Sequence, residues 1–323
     1  MRILFVSNMN GSLDEGMRNV ATHIARHLEK GHEVLPVGIR EAVTGPLPKD
    51  VDRIVVSARA KGRTLVVIAR LRVRYRKARI TFLATQPVLP SFLYVSRAMG
   101  AHIDFMFFSK SDFEDYRRMS GREARLLTVG VDQAKFDASK RREKDEIRSA
   151  LSLPNTSACV LHVGHCSTGR GLERLAALEG SLSKVVVSSG MFDSAEVVKI
   201  LKNANVDLRS GYIRTIEQYY QASDVYFFPT TDRNFVISVP LSILEALSCG
   251  VPVVALRGIS AIEDLEVEDS RYLQVVDPEQ ATSAVLRAAA LPIRDRSLIP
   301  THPTWAEIGK EVEQVIVSER GLG

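Results

Sequence analysis

Apolar positions along this chain of 323 residues fall into short runs that alternate with amphipathic stretches. Ile3-Leu4-Phe5-Val6 is followed at once by the polar run Ser7–Gly11, the pattern of a strand buried on both faces. Val20, Ile24 and Leu28 recur at spacing four, the stripe of an amphipathic helix over 16–30, and Gly31-His32 stops it. The rhythm continues. Apolar runs predict strands at 33–37, 53–56, 80–84 and 105–109, and a strand with a turn at 125–132. Periodic stretches predict helices at 63–77, 90–99 and 111–119. From residue 158 the rhythm restarts, with strands at 158–164, 184–188, 207–211, 225–229, 251–256 and 272–276. Helices are predicted between them at 169–178, 194–203, 215–221, 240–249 and 278–290, and a last one at 304–318. Alternation of this kind predicts an α/β fold: parallel sheets with helices on both faces, twice over. The charged, turn-forming stretch 137–156 reads as the junction, giving domains 1–150 and 151–303. Such sheets bind ligands outside the carboxyl ends of their strands, which directs attention to strand-to-helix loops facing a cleft between the domains.

Composition adds boundaries. The length suits two domains, and 45% apolar with 25% charged residues is ordinary globular usage. That excludes a disordered chain, a collagen-like chain and a disulfide scaffold. Cys159, Cys166 and Cys249 form no CxxC pair, so neither a zinc ribbon nor a redox motif is readable, and a reducing cytoplasm is expected. No signal peptide is legible, and no apolar run approaches the roughly 20 residues of a membrane span. A cytoplasmic protein is expected, soluble or peripheral on the inner face of the cell membrane. The net charge of +5 is uneven: residues 1–150 hold 28 Lys/Arg against 17 Asp/Glu, and residues 151–323 hold 15 against 21.

The densest chemistry lies in Ser238–Ala255. Pro240 suits the first position of a helix, where its missing N–H costs nothing. The amides of Leu241 and Ser242 then point out of the helix N-terminus, a site that favours phosphate. Glu245 follows about one turn on, where its two oxygens can accept from the hydroxyls of a ribose.

This stretch resembles the nucleotide-sugar signature of the retaining GT-B glycosyltransferases of family 4, E-x-F-G/P-L-x-x-L-E-A-M-A-x-G-x-P-V-V-A. Other segments resemble the family in order: residues 1–38, LLTVGVDQAKF at 126–136, LHVGHCSTGRGLERL at 161–175, residues 207–229, and 304–316 with Trp305. The resemblance implies two Rossmann-like domains facing across a cleft, with the last helix, 304–318, crossing back to the first. It also implies a metal-independent transferase that moves a sugar, with retention, from a nucleotide-diphosphate sugar to a glycan or lipid-linked acceptor. By the same resemblance Glu245 holds the donor ribose. Leu241 and Ser242 meet the diphosphate, and Arg170 neutralises it from the place of a family Lys. Gly16 falls in the glycine loop, and the base is read near Gly211-Tyr212-Ile213, bringing in Tyr212. No metal ligands are implied. Several positions depart from the family, among them Thr128-Val129 in place of its Pro-Asn before Gly130. Ile237 stands where it has the first Glu of its pair, His165 where it has an Arg on the diphosphate, and Gln86 near its first-domain histidine. Arg170, His165 and Gln86 are the catalytic candidates.

Arg70, Arg74 and Lys77 share a face of the predicted helix at 63–77, which suits anionic headgroups. Tyr75 is the lone aromatic interleaved with them, and no nucleic-acid motif occurs, so nucleic acid is not expected. His23 and His27 stand at metal-ligand spacing with no third ligand evident, and read as a surface pair. GxGxxG, GxxxxGK[ST] and GxSxG are absent, which argues against a dinucleotide oxidoreductase, a P-loop kinase and an α/β-hydrolase. Two alternatives remain: a catalytically degenerate GT-B protein that binds nucleotide or glycan or partners an active transferase, and a nucleotide-sugar epimerase.

Overall fold

The structure, a computed structural model, describes residues 1–11, 15–100, 102–265, 271–292 and 302–318. Its chain forms two compact units. The first contains β1 (Arg2–Val6), α1 (Gly16–Leu28), β2 (Glu33–Val37), α2 (Ile39–Thr44), β3 (Arg53–Ser57), α3 (Gly62–Arg74), β4 (Arg79–Ala84), α4 (Pro90–Ala98), β5 (Ile103–Phe107), α5 (Lys110–Ser120) and β6 (Arg125–Leu126). The second contains α6 (Lys144–Ala150), β7 (Ala158–Val163), α7 (Leu172–Ala176), β8 (Leu182–Ser188), α8 (Ala195–Asn203), β9 (Asp207–Ser210), α9 (Ile216–Ala222), β10 (Val225–Phe228), α10 (Leu241–Ser248), β11 (Val253–Leu256), α11 (Ser260–Glu263), β12 (Leu273–Val276) and α12 (Ala281–Ala289). The last helix, α13 (Trp305–Val317), belongs to the first unit.

Each unit is built on a six-stranded parallel sheet. The orders are β2-β1-β3-β4-β5-β6 and β12-β11-β10-β7-β8-β9. The central strands are apolar on both faces, as helices on both sides require: Ile3–Val6, Ile54–Val56 and Val225–Phe228 are all buried. In both sheets the direction of winding reverses once, between β1 and β3 and between β7 and β10. A doubly wound sheet opens a crevice at the carboxyl ends of those strands.

The boundary between units lies at 130/131 rather than 150. The charged run read as a linker is structural. Arg141, buried to 4% exposure, donates to the Gly250 and Ser223 carbonyls. Arg148, buried to 3%, donates to the Ala222 carbonyl and pairs with Asp224 at 2.5 Å, and Lys144 reaches the same carboxylate at 2.8 Å. Three cations therefore satisfy the carbonyls that end α9 and follow α10, together with one carboxylate, and fix residues 138–150 to the second unit. Burial opposes ionisation of Asp224, yet Lys144, the Cys159 amide and Arg148 outweigh it and hold its pKa below the usual carboxylate value.

The helix at 63–77 ends at Arg74, so Lys77 leaves the face it was expected to share with Arg70 and Arg74. Arg70 is also spent within the fold: it donates to the Ala42 and Gly45 carbonyls at 3.0 and 2.6 Å, closing the C-terminal end of α2. α13 packs on α1. His23 stacks on Trp305, with ring centroids 4.7 Å apart, and Glu313 bridges His27 and His32 at 3.1 and 2.8 Å. His23 and His27 thus serve this helix contact. Residues 237–239, which directly precede α10, also belong to the first unit. There the Ser238 amide donates to the Thr85 carbonyl at 2.8 Å, and the Ser238 hydroxyl donates to Asp112.

Candidate donor site

The second unit gathers its chemistry at the carboxyl ends of β7 and β10. α10 is a helix of eight residues with Pro240 at its N-cap, one position earlier than the sequence suggested. The Leu241 and Ser242 amides have no acceptor among the described residues, so the positive end of α10 is open there. Arg170 lies in the loop between β7 and α7, placed by its own carbonyl, which accepts from the Thr230 hydroxyl at 2.9 Å. Neighbouring Gly171 has a φ of +72°, and a Cβ there would stand 2.5 Å from the Pro229 carbonyl oxygen. Only glycine lets this loop close against the end of β10.

Burial pushes the Arg170 guanidinium below the ordinary arginine value. Among the described residues no carboxylate pairs with it. Its electrostatic neighbours are Tyr226 and Cys166. Tyr226, fully buried on β10, ties the site together: its hydroxyl donates to the Val163 carbonyl at 3.2 Å, interacts with Ser242, and feels both Arg170 and Glu245. Glu245 is half-buried. Burial raises its carboxyl to about 7, against the hydrogen bond from Tyr220 (2.8 Å to Oε2) and the charge of Lys135.

Of the sequence candidates in this unit, Arg170, Ser242 and Glu245 converge around Tyr226, and Leu241 opens the same helix. His165 follows β7, with Nδ1 3.1 Å from the Ser189 hydroxyl and its ring edge-on to Phe192. Tyr212 is 55% exposed, next to Gly211 in the loop after β9. Gly16 and Gln86 belong to the first unit. Gly16 opens α1, and a Cβ on it would stand 2.9 Å from Cδ1 of Ile237, so its bareness makes room for that side chain. Gln86 is half-buried just past the end of β4, beside Thr85.

The sequence reading did not single out Tyr220, Tyr226 or His162. The two tyrosines stand in QYYQASDVYFFP, where their signal is a polar aromatic within otherwise apolar helix and strand positions. His162 is fully buried on β7, with Nδ1 3.0 Å from the Phe227 carbonyl. Burial lowers its pKa to about 3, so it is neutral and donates from Nδ1. Arg170 and His165 both act electrostatically on this ring.

The structure thus brings together a half-buried guanidinium with no carboxylate partner among the described residues, two open helix amides and a carboxyl one turn along, the groups that an anion bearing hydroxyls would call for. Residues 172–290, which include α10 and Glu245, match the family model of glycosyl transferases group 1. This segment, 119 of the 323 residues, is thus similar to group 1 glycosyltransferases. A phosphatidyl-myo-inositol mannosyltransferase of Propionibacterium freudenreichii is 30% identical over 140 residues, 41% of this chain and 34% of that protein. A Corynebacterium glutamicum protein named as a GDP-mannose-dependent monoacylated α-(1-6)-phosphatidylinositol monomannoside mannosyltransferase is 22% identical over 255 residues, 72% of this chain and 67% of that one. The match to a Bacillus subtilis relative, TuaC, spans only 43% of the relative's length. Among solved structures, Anabaena HepE in complex with UDP-glucose has a TM-score of 0.73 at 16% identity, covering 97% of this chain and 98% of that one. The likeness establishes a GT-B fold of two Rossmann-like domains. That fold also carries a Methanocaldococcus jannaschii UDP-GlcNAc 2-epimerase (TM-score 0.54, 11% identity), so the choice of chemistry rests on the site.

Proposed function

We propose that this chain transfers a glycosyl group from a nucleotide-diphosphate sugar held by its second unit, with retention and without a metal ion, to a glycan or lipid-linked acceptor. The observation that carries the reading is Arg170: a half-buried cation with no carboxylate partner among the described residues, within electrostatic range of the tyrosine that joins Ser242 and Glu245. A diphosphate supplies the missing countercharge. As the C1–O bond breaks, negative charge grows on the departing diphosphate. Arg170 and the open amides of Leu241 and Ser242 are the donors that would meet such charge, and preorganised donors lower the barrier. His165 sits in the same loop and adds a further donor. Glu245 accepts from the ribose hydroxyls, Tyr212 flanks the base, and Gln86 orients an acceptor hydroxyl in the first unit. The named activities of the mannosyltransferase relatives support a lipid-linked acceptor, and the HepE complexes with UDP-glucose and UDP support a UDP-type donor. A peripheral position at the inner membrane face fits the surplus of cations in the first unit. Among the described residues no helix is long and apolar enough to cross a membrane.

A second reading has its own observation. Ile237, where the family has a sugar-binding Glu, packs beside Gly16 and presents only hydrocarbon. That arrangement suits a binding module that holds nucleotide without turning it over. One experiment separates the readings: transfer and donor hydrolysis assayed across UDP-, GDP- and ADP-sugars, with Glu245→Ala as control. Turnover abolished by Glu245→Ala supports the transferase. Nucleotide binding with no turnover of any donor supports the module, and turnover indifferent to Glu245→Ala removes Glu245 from the site.

A further inference from the structure

Glu245 leaves α10 with one oxygen already engaged. The Tyr220 hydroxyl donates to Oε2 at 2.8 Å, whereas Oε1 has no partner among the described residues. Tyr220 has little room to do otherwise. Its ring is fully buried on α9, edge-on to Phe136 (centroids 5.7 Å apart, 82° between planes) and tilted against Tyr226 (5.7 Å, 36°). Phe136 is in turn held by its amide, which donates to the Asp132 carbonyl at 2.8 Å. A phenol has one hydrogen to give, and here it is given to Oε2.

We propose that Tyr220 is a positioning residue of the donor site: its hydroxyl anchors Oε2 of Glu245 and leaves Oε1 to receive the ribose hydroxyls of a nucleoside diphosphate. The role rests on the donor-site reading above and adds a residue to it. The same bond bears on ionisation. The groups facing Glu245 are Tyr220 from α9, Lys135 from the segment before α6, Tyr226 from β10 and Cys249 at the end of α10. Burial favours the neutral acid, while Tyr220 and Lys135 favour the carboxylate, and the balance falls near neutral pH. Removing the phenol hydrogen raises the pKa, so the sign is fixed: the variant loses ribose affinity at pH 7 and regains it as pH rises.

The test is Tyr220→Phe, which keeps the buried ring, with two readouts. The first needs no ligand. The side-chain carboxyl carbon of Glu245, its resonance identified by loss in Glu245→Gln, is titrated by ¹³C NMR. One hydrogen bond to a charged group corresponds to roughly one pH unit, so the midpoint moves up by about that much in Tyr220→Phe. An unchanged midpoint overturns the proposal. The second is calorimetric binding of UDP, GDP and ADP and of their 2′,3′-dideoxy counterparts. For whichever nucleotide binds, Tyr220→Phe weakens the ribose form about 5- to 10-fold at pH 7, recovers at pH 9, and leaves the dideoxy form unchanged. Equal losses for both forms, or no loss, overturn it. A shifted midpoint in a protein that binds none of these nucleotides overturns the donor-site reading, and with it the role of Tyr220, while the Tyr220–Glu245 bond itself stands.

Discussion

Replacing Arg170 by Met makes the ligand-free protein more stable and the liganded protein less so. A guanidinium taken from water without a carboxylate costs several kcal/mol, and Arg170 shows this cost in its depressed pKa. Methionine follows the same path without the charge. We expect the variant to gain about 1–2 kcal/mol when free, because replacing buried ions by well-packed apolar groups commonly stabilises by that order. For a domain of this size the midpoint of thermal unfolding rises about 2–4 °C per kcal/mol. Binding moves the other way. Two charge-assisted bonds to a diphosphate, at about 1.5–3 kcal/mol each, correspond to a loss of roughly 10²- to 10⁴-fold in affinity. The two effects cross: at about 100 times its Kd the nucleotide adds about 2.7 kcal/mol to the wild type and little to the variant. Thermal unfolding monitored with and without the binding nucleoside diphosphate, paired with calorimetric affinities, reads both arms. Arg170→Lys keeps the charge but not the planar fork, and should fall between. A Met variant that unfolds earlier than wild type without ligand, and binds nucleotide as tightly, refutes the reasoning. Arg170 would then be a structural cation whose partner is the fold itself.

Asp224→Asn should cost about 3–5 kcal/mol in urea unfolding at pH 7, because it strands Arg148 in the interior. The folded pKa of Asp224 is lowered, so its stabilisation is present above the unfolded carboxylate value and fades as pH falls through the folded one; the gap between wild type and variant should narrow in acid. Glu313→Gln should destabilise at pH 7 by less than about 1 kcal/mol, since the group is partly exposed. Burial raises the Glu313 pKa, but the bonds from His27 and His32 outweigh it and lower the value, so this contribution also shrinks toward acid pH. Arg70→Ala should lose about 1–2 kcal/mol by freeing two α2 carbonyls and leave binding to anionic vesicles unchanged. The pair Arg74→Glu and Lys77→Glu should do the reverse; if sedimentation with phosphatidylglycerol vesicles is unaffected by them, the headgroup reading fails.

Most of the alternation was legible because buried parallel strands are written as short apolar runs. Residues 33–37 and 90–98 fall within a residue of expectation. α2 and α11 escaped, since six- and four-residue helices show hardly more than one turn of periodicity. The stretch 137–156 misled because local composition does not reveal what a cation touches. DASKRREKDEIR looks solvated, and three of its cations reach carbonyls or a carboxylate more than 70 residues away in sequence. The candidate site divides along the same line. Glu245 and the amides of α10 are local features of one helix, and so are readable from spacing. Tyr220 and Tyr226 act through contacts 25 and 63 residues distant, so in the sequence they are ordinary apolar-position aromatics.

The relocated boundary also changes what the charge split means. Residues 131–150 hold six of the cations counted with the first half, and in the structure they belong to the second unit. By the units as folded, the first holds 24 Lys/Arg against 16 Asp/Glu and the second 19 against 22, a contrast of +8 and −3 instead of +11 and −6. Part of the remaining excess is committed inside the first unit as well. Arg2 pairs with Glu33, Arg79 with Asp104, and Arg53 and Arg70 hold backbone carbonyls. Long-range attraction to an anionic surface then depends on the exposed remainder, which includes Arg74, Arg76 and Lys77. Each such charge is worth about 1 kcal/mol near a charged bilayer and is screened within about 8 Å at physiological salt. The second unit works the other way round. Its net charge is slightly negative, so the overall field does not draw in a diphosphate, and on the proposed reading affinity must come from short-range groups: one half-buried guanidinium and one open helix terminus. Nucleotide binding should therefore be far less sensitive to salt than any association with anionic vesicles, because its charges meet in a partly desolvated site where screening ions are excluded.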